Sequence, residues 1–537
     1  MGIYLNPGNE NFTRTLRSAD YVDKSMMIRE LNRIMETDKN YICVSRPRRF
    51  GKTIAGNMIS SYFSKGCDSK ELFKGLKIGK EYSGLEEKLN QYNVIKIDMN
   101  SEYQGAMDKS AMLQDLTEDI KDELRDAFPN VAIRDRDSLA RSIQRIYSAT
   151  KETFIIILDE YDVLVRERAP QELMDEYLGF LNGLFKSDSL RPAIALAYLT
   201  GILPIVRDKI QSKLNNFDEY TIIDAGELSE YVGFTEAEVR ELCEKHGMDF
   251  AECRRWYDGY RLKDFEIYNP ESVIMAMRKR NFNGYWNATS SYEAILDRIR
   301  MNFAGTKDAV IRLLSGEKVD VNVTSFLNTM DSFRTRDDLL TYLIHLGYLA
   351  FDVNEKINNR NHGTCRIPNQ EIVQEWENAV AANEDYTETD RIIKASKELL
   401  TETINGNEEA VSKALDESHI HVTSNRSYNN EDALQSAIYL AYIYALNQYT
   451  IVREMTSGKG FADVTFIPWD HDLPAMIIEL KRNGSVDSAI EQIRERQYFK
   501  SLERYAGKLL FVGINYDEKE KTHSCRIERF QKDTISV

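Results

Sequence analysis

Short, wholly apolar runs alternate with helix-periodic segments through the first two hundred residues. Tyr41-Ile42-Cys43-Val44, residues 94–99, Phe154-Ile155-Ile156-Ile157-Leu158 and residues 193–201 read as buried strands. Residues 54–63, 109–149 and 172–185 read as helices between them, and 26–35 as an amphipathic helix ahead of the first strand. Strands alternating with helices predict a parallel sheet covered on both faces.

The rhythm changes after Tyr231. Thr235-Glu236-Ala237-Glu238 is a capping-box helix start, and helices then dominate to about residue 350. Trp256-Tyr257-Asp258-Gly259-Tyr260-Arg261 predicts a packed aromatic turn. A helix over 339–349, followed by alternating runs up to Ile367-Pro368-Asn369, predicts helix then hairpin. That pattern suits a winged-helix module or, equally, a protein-packing element. Residues 380–418 are polar and helical, broken at Asn405-Gly406-Asn407, and read as a connector; His419 and His421 read as alternate positions of a surface strand. Beyond a helix over 432–447, residues 449–455 and 461–467 alternate around the turn Thr456-Ser457-Gly458-Lys459-Gly460 and predict a hairpin. A third strand over 475–481 and a helix over 486–502 follow. The expected class is α/β multidomain: a P-loop NTPase parallel sheet in 1–225, a helical, winged-helix-like domain in 226–375, a connector in 376–420, and a restriction-endonuclease-like α/β domain in 421–537.

A chain of 537 residues exceeds one hydrophobic core, which agrees with several domains. No apolar run has the length of a membrane span, and the N-terminus lacks a basic-then-apolar leader, so a cytoplasmic protein that avoids membranes is expected. Six cysteines without a C-x-x-C pair fit a reducing compartment and argue against structural zinc. The net charge of −16 disfavours a DNA-coating protein, yet residues 451–537 hold 14 Lys+Arg against 14 Asp+Glu. The acidity therefore lies upstream, and a local nucleic-acid groove stays compatible with the C-terminal part.

Arg46-Pro47-Arg48-Arg49-Phe50-Gly51-Lys52-Thr53 joins the first strand to a helix, the layout of a phosphate-binding loop. Lys52 would reach the β- and γ-phosphates of ATP, Thr53 would ligate Mg²⁺, and backbone N–H groups would cradle phosphate oxygens. Arg46 stands where a glycine is usual, and three arginines add positive charge. The third strand ends in Asp159-Glu160, where Asp159 would hold Mg²⁺ and Glu160 would orient or deprotonate water. Gly-Lys-Thr alone is as readily an ordinary helix start, and Asp-Glu alone a helix N-cap. The two in this order, each after a strand, point to an ATP site. Thr200, closing another strand, is either a γ-phosphate sensor or a helix cap. Arg207 is a candidate arginine finger, with a surface arginine the favoured reading.

A second constellation lies near the C-terminus. Asp463 opens one strand, and Glu479 and Lys481 share a face of the next. Two carboxylates and a lysine at a sheet edge suit metal-assisted phosphodiester hydrolysis with Mg²⁺ or Mn²⁺. Glu431 is a further candidate metal ligand, and Gln492 and Tyr498 face the same general direction. A solvated salt-bridge face is the competing reading.

Tyr21-Val22-Asp23-Lys24, the Arg-Pro-Arg-Arg-Phe-Gly-Lys-Thr loop, Leu158-Asp159-Glu160-Tyr161-Asp162, Thr200-Gly201-Ile202-Leu203-Pro204-Ile205, Trp256-Tyr257-Asp258-Gly259-Tyr260, Tyr268-Asn269-Pro270 and Tyr285-Trp286 together resemble the bacterial AAA-ATPase-like family that carries a C-terminal PD-(D/E)XK nuclease-superfamily domain. The resemblance covers nearly the whole chain and recasts Arg46 as the family's own loop form. It implies Gly51, Lys52 and Thr53, with Arg49 and Phe50 beside them, at the nucleotide. It implies Asp159 and Glu160 at Mg²⁺ and water, and Asp463, Glu479 and Lys481, with Glu431, at the nuclease-like site. The expected function is an ATPase controlling a metal-dependent nuclease on DNA or RNA, in a defence or mobile-element setting, with a homo-oligomer compatible. The rival is a nucleotide-gated scaffold that binds a partner or nucleic acid without cutting. A small-molecule kinase ranks third, because no acceptor pocket is visible.

Overall fold

The computed structural model describes residues 2–530 apart from 206–213, 215, 287–292, 302, 315, 328–332, 354–361, 423–433, 435–437, 439–440, 458–459, 471 and 506. It divides into two compact units, Met1–Ser291 with Asp320–Glu375, and Tyr292–Val319 with Trp376–Val537.

The first unit is built on five parallel strands: β1 (Tyr41–Ser45), β2 (Asn93–Asp98), β3 (Phe154–Asp159), β4 (Ile194–Gly201) and β5 (Asp218–Tyr220). Their order is β2-β3-β4-β1-β5. Every residue of β1, β3 and β4 is buried, which is why these strands are apolar without alternation. Each fully buried Ile, Leu or Val side chain contributes about 1.5–3 kcal/mol. The core on one side of the sheet runs through Ile95, Ile156, Leu158 and Leu199 to Leu116, Ile143 and Leu181 on the helices. Because β1 neighbours β4 and β5 rather than β2, the strand order reverses there and leaves a crevice beyond the carboxyl ends of the strands. The loop 46–51, Asp159-Glu160 and Thr200 all lie at those ends.

Further along the same unit, β6 (Phe234–Thr235), β7 (Tyr260–Leu262) and β8 (Phe265–Tyr268) pair in the order β6-β8-β7. Thr235 and Glu238 form both bonds of the expected capping box. The aromatic turn is tightly packed. Gly259 has φ +116°, and a Cβ there would lie 2.3 Å from the Pro368 carbonyl oxygen, so only glycine fits. The Tyr260 hydroxyl donates to the Gly347 carbonyl at 2.6 Å. The helix Arg336–Leu346 is followed by an antiparallel pair, β10 (Ala350–Val353) and β11 (His362–Arg366), with β9 (Val319–Asn322) beside β11.

In the second unit, the helices Thr387–Asn405 and Glu408–Val422 are separated by Gly406 at φ +80°, the expected break. His419 and His421 therefore lie on a helix, not on a surface strand. Glu408-Glu409-Ala410-Val411 starts a run of good helix formers with acid in the first turn, and that outweighs the local alternation. Five strands follow in simple order: β12 (Tyr449–Ser457), β13 (Gly460–Pro468), β14 (Ala475–Arg482), β15 (Leu509–Asp517) and β16 (Thr522–Arg529). Only β14 and β15 run parallel; the other neighbours are antiparallel. The helix Val486–Glu495 crosses between them and lies on the sheet at Gly513, where a Cβ would approach the Val486 carbonyl oxygen to 2.6 Å. This helix is shorter than the sequence pattern predicts. Gln497 adopts φ +56°, and a 3-10 segment, Tyr498–Tyr505, replaces the last turns. Among the described residues no helix is long and apolar enough to cross a membrane.

Candidate active sites

The phosphate-loop geometry follows from two left-handed residues. Arg49 has φ +69°, and Gly51 has φ +88° at the N-cap of the helix Lys52–Phe63. A Cβ at Gly51 would meet nothing within 4 Å, so the loop bounds open space at a helix N-terminus. Lys52 is 4% exposed. Its Nζ donates to the carbonyls of Arg46 at 3.2 Å and Pro47 at 3.0 Å and lies 3.5 Å from Glu160 Oε1.

The three arginines are not equivalent. Arg46 is fully buried, and its guanidinium donates to the carbonyls of Ser45 and Tyr220 at 2.9 Å each. Burial lowers its pKa to about 10. It is a peg holding β1 to the segment around β5 rather than a free charge for phosphate. Arg49 donates to the Tyr285 carbonyl at 3.1 Å. Phe50 is buried, with its ring edge-on to Tyr260 at 5.5 Å. Both side chains thus engage residues beyond β5, and a phosphate contact from Phe50 would come from its backbone N–H.

Asp159 closes β3 and is 1% exposed. Burial pushes its pKa up to about 6, against the opposing pull of the Thr53 hydroxyl, which hydrogen-bonds it, and of Lys52. A hydroxyl beside a carboxylate of raised proton affinity is a donor pair that fits a hard divalent cation. Glu160 follows at φ +52°, a left-handed conformation that costs a non-glycine residue about 1 kcal/mol or more and persists where surroundings enforce it. Those surroundings are Lys52 and Arg166. Burial alone would raise the Glu160 pKa, but Lys52, Arg166 and Arg48 outweigh it and hold the carboxyl below the ordinary glutamate range.

Asp162, which the sequence reading left without a role, joins this site to β4. Its Oδ2 accepts from the backbone N–H groups of Ile202 at 3.1 Å and Leu203 at 2.8 Å, and from Arg166 Nε at 3.1 Å. The Tyr161 hydroxyl donates to the Leu203 carbonyl at 2.8 Å. Thr200 lies within β4, so it caps no helix; its hydroxyl is buried on the same strand face as the Tyr198 hydroxyl. Its register neighbour on β1 is Val44, two residues before Arg46. Arg207 falls outside the described residues.

In the second unit, β13 and β14 bring Asp463 and Glu479 together. Val464 is opposite Ile478, so the next pair outward is Asp463 and Glu479. The two are cross-linked: Asp463 Oδ2 accepts from the Leu480 N–H at 2.8 Å, and the Glu479 carboxylate accepts from the Asp463 N–H. Glu479 is 2% exposed, and its Oε2 is buried without a hydrogen-bond partner among the described residues. Burial, reinforced by Asp463, pushes its pKa up to about 7, opposed by Lys481. Lys481 Nζ lies 3.4 Å from Glu479 Oε1 and donates to Gln492 Oε1 at 2.6 Å. Gln492 in turn donates to Glu479 Oε1 and approaches the Tyr498 hydroxyl at 3.4 Å. The left-handed Gln497 explains that last contact, because a continuous helix would carry Tyr498 round to another face. An orphaned buried carboxylate oxygen beside a second carboxylate fits a divalent cation. Among the described residues the acidic set here is this pair, and no cluster of three or more metal-ligating side chains occurs. Glu431 lies outside the described residues.

Comparisons with known proteins agree with this two-part layout. Residues 8–211 match the family model described as "Predicted AAA-ATPase", and residues 429–525 match the PD-(D/E)XK nuclease superfamily. The chain therefore carries an AAA-ATPase-like domain followed by a PD-(D/E)XK nuclease-superfamily domain. It is 25% identical over 380 residues to a protein of Azotobacter chroococcum mcd 1 named "Uncharacterized protein in vnfD 5'region", covering 68% of this chain and 67% of that one. Among solved structures, the chain aligns with ORC1 of Aeropyrum pernix in complex with DNA at 12% identity and a TM-score of 0.25, covering 68% of this chain and 94% of that one. It aligns with the ORC2 protein of the same organism at 10% identity and a TM-score of 0.31, covering 69% and 98%.

Proposed function

We propose that the first unit hydrolyses ATP and that this reaction governs a metal-dependent nuclease in the second. The observation that carries the reading is that each constellation is drawn together by its own polar contacts: Lys52 with Glu160 at the Gly51 cradle, and Asp463, Glu479, Lys481 and Gln492 on β13, β14 and the following helix. In the ATPase, Gly51 and the following N–H groups receive phosphate oxygens, and Lys52 exchanges its loop carbonyls for the β- and γ-phosphates. Thr53 and Asp159 would hold Mg²⁺, which supplies charge neutralisation at the phosphates. Glu160 orients the attacking water, and Thr200, at the carboxyl end of β4, reads the γ-phosphate.

In the nuclease-like domain, Asp463 and Glu479 would hold Mg²⁺ or Mn²⁺, with Glu431 a further candidate ligand. Lys481 stabilises developing negative charge, and Gln492 fixes Lys481 against Glu479. Helix and hairpin around 336–366 fit a winged-helix module within the first unit, with domain limits at 1–225, 226–375, 376–420 and 421–537. The substrate is nucleic acid, and a cytoplasmic setting, a homo-oligomeric assembly and a defence or mobile-element role are consistent with it.

The ATPase half is tested by Mg²⁺-dependent phosphate release from ATP: turnover is expected from the full chain, and turnover lowered about a hundredfold but still measurable in Glu160→Gln. Equal rates in both would overturn it. A second reading, a nucleotide-gated scaffold, is favoured by the net charge of −16. Under it the second unit binds nucleic acid or a partner without cutting.

A further inference from the structure

A largely buried ion-pair chain links Glu160 to the turn after β4. Lys52, Glu160, Arg166 and Asp162 form it in that order, and Asp162 ends it on the N–H groups of Ile202 and Leu203. Arg166 is 7% exposed and belongs to the four-residue helix Val163–Arg166, which starts directly after the Asp-Glu-Tyr-Asp turn. The spacing Glu160-x-Asp162-x-x-x-Arg166 lets one guanidinium serve both carboxylates, through Nη2 to Glu160 and Nε to Asp162. Burying a guanidinium is costly unless its partners satisfy it, and anchoring the turn at Ile202 and Leu203 needs only the Asp162 carboxylate. The second arm, to Glu160, is therefore what a purely structural role leaves unexplained. Arg suits this task better than Lys, because its planar fork holds two carboxylates in a fixed mutual geometry.

We infer that Arg166, itself held by Asp162, is a positioning residue that fixes the Glu160 carboxylate for water activation at the phosphate site. When the phosphates of ATP draw Lys52 away, Arg166 still hydrogen-bonds Glu160 and keeps it in its left-handed backbone position. The inference rests on the ATPase reading above and deepens it. It also gives the Thr200-Gly201-Ile202-Leu203 segment a function, because the turn that follows the γ-phosphate-sensing candidate is anchored to the same guanidinium through Asp162. Gly201 permits the arrangement: a Cβ there would stand 2.5 Å from Asp162 Oδ1.

The test uses the full chain and compares Arg166→Gln, Arg166→Lys, Glu160→Gln and the double variant Glu160→Gln/Arg166→Gln. Phosphate release gives kcat, titration with a fluorescent ATP analogue gives Kd, and thermal melting reports folding. The expected result for Arg166→Gln is a kcat lowered about tenfold or more with Kd within about threefold of wild type, the signature of a lost transition-state arrangement rather than lost binding. In the Glu160→Gln background the same change should cost nothing further, because the group it positions is gone. Arg166→Lys, which keeps charge but not the fork, should fall between, and it carries the test should Arg166→Gln fail to fold. A kcat equal to wild type in folded Arg166 variants, or losses that add in the double variant, overturns the inference while leaving the ATPase reading intact. Absence of turnover in wild type overturns both.

Discussion

Lys52 Nζ and Glu160 Oε1 stand 3.5 Å apart at the carboxyl ends of β1 and β3, two parallel strands with β4 between them. The pair joins the helix after β1 to the turn after β3, two segments separated by more than one hundred residues in sequence. Its ammonium also donates to the Arg46 and Pro47 carbonyls. Replacing Lys52 by Ala removes the one cation that both the loop and Glu160 share. The expected outcome is loss of ATP binding or turnover, measured by analogue titration and phosphate release. Unchanged affinity and hydrolysis would contradict the phosphate-loop assignment.

Metal binding in the second unit should depend on the carboxylate pair. Isothermal titration with Mn²⁺ is expected to give a site in the Lys481→Ala variant and to lose it in Asp463→Asn. Removing Lys481 leaves the ligands in place, and changing Asp463 does not. Equal Mn²⁺ affinity in wild type and Asp463→Asn would contradict the proposed ligand pair.

Gly201→Ala should destabilise the first unit. Its Cβ would fall 2.5 Å from Asp162 Oδ1, and 3.0 Å from a ring atom of Tyr161, so the buried anchor of the Ile202–Leu203 turn must shift. Overpacking of this kind costs about 1–3 kcal/mol. A lowered thermal midpoint is the expected reading, and an unchanged one would mean that the turn has room the structure does not show.

Glu371 predicts a pH dependence. Its Oε1 accepts from Ser272 Oγ at 3.0 Å and from the N–H groups of Tyr285 at 2.6 Å and Trp286 at 2.8 Å. Burial nevertheless pushes its pKa up to about 7, against the pull of those donors and of Arg49. A raised folded-state pKa favours the protonated group, so its stabilising contribution is complete below the ordinary glutamate value and is lost as pH rises towards 7. Glu371→Gln keeps the acceptor oxygen and removes the titration. It should therefore flatten the stability profile between roughly pH 4.5 and 7 and melt above wild type at pH 8. Parallel profiles for the two proteins would contradict this.

What was legible in the sequence follows from how local its cause is. β1, β3 and β4 are buried on both faces, so their apolar runs, and the loop and carboxylates at their ends, stand out along the chain. The break at Gly406 and the Thr235 capping box are equally local. Asp162 was invisible as an anchor because its partners, Ile202 and Leu203, come near only when β3 lies beside β4. Arg46 read as charge for phosphate and is instead tied to carbonyls of Ser45 and Tyr220, a consequence of β5 lying next to β1. The end of the helix at Glu495 is not signalled locally, because residues 496–502 contain neither Gly nor Pro. The left-handed Gln497 is a single-residue conformation that helix propensity does not register.

The central claim is that ATP at the first site governs cutting at the second. The most direct measurement is cleavage of labelled DNA and RNA by the full chain in Mg²⁺ or Mn²⁺, with and without ATP, for wild type, Lys52→Ala and Lys481→Ala. Cleavage that changes with ATP in wild type, no longer responds to ATP in Lys52→Ala and is absent in Lys481→Ala is the predicted result. No cleavage of either nucleic acid under any condition, or cutting by Lys481→Ala at the wild-type rate, would contradict it.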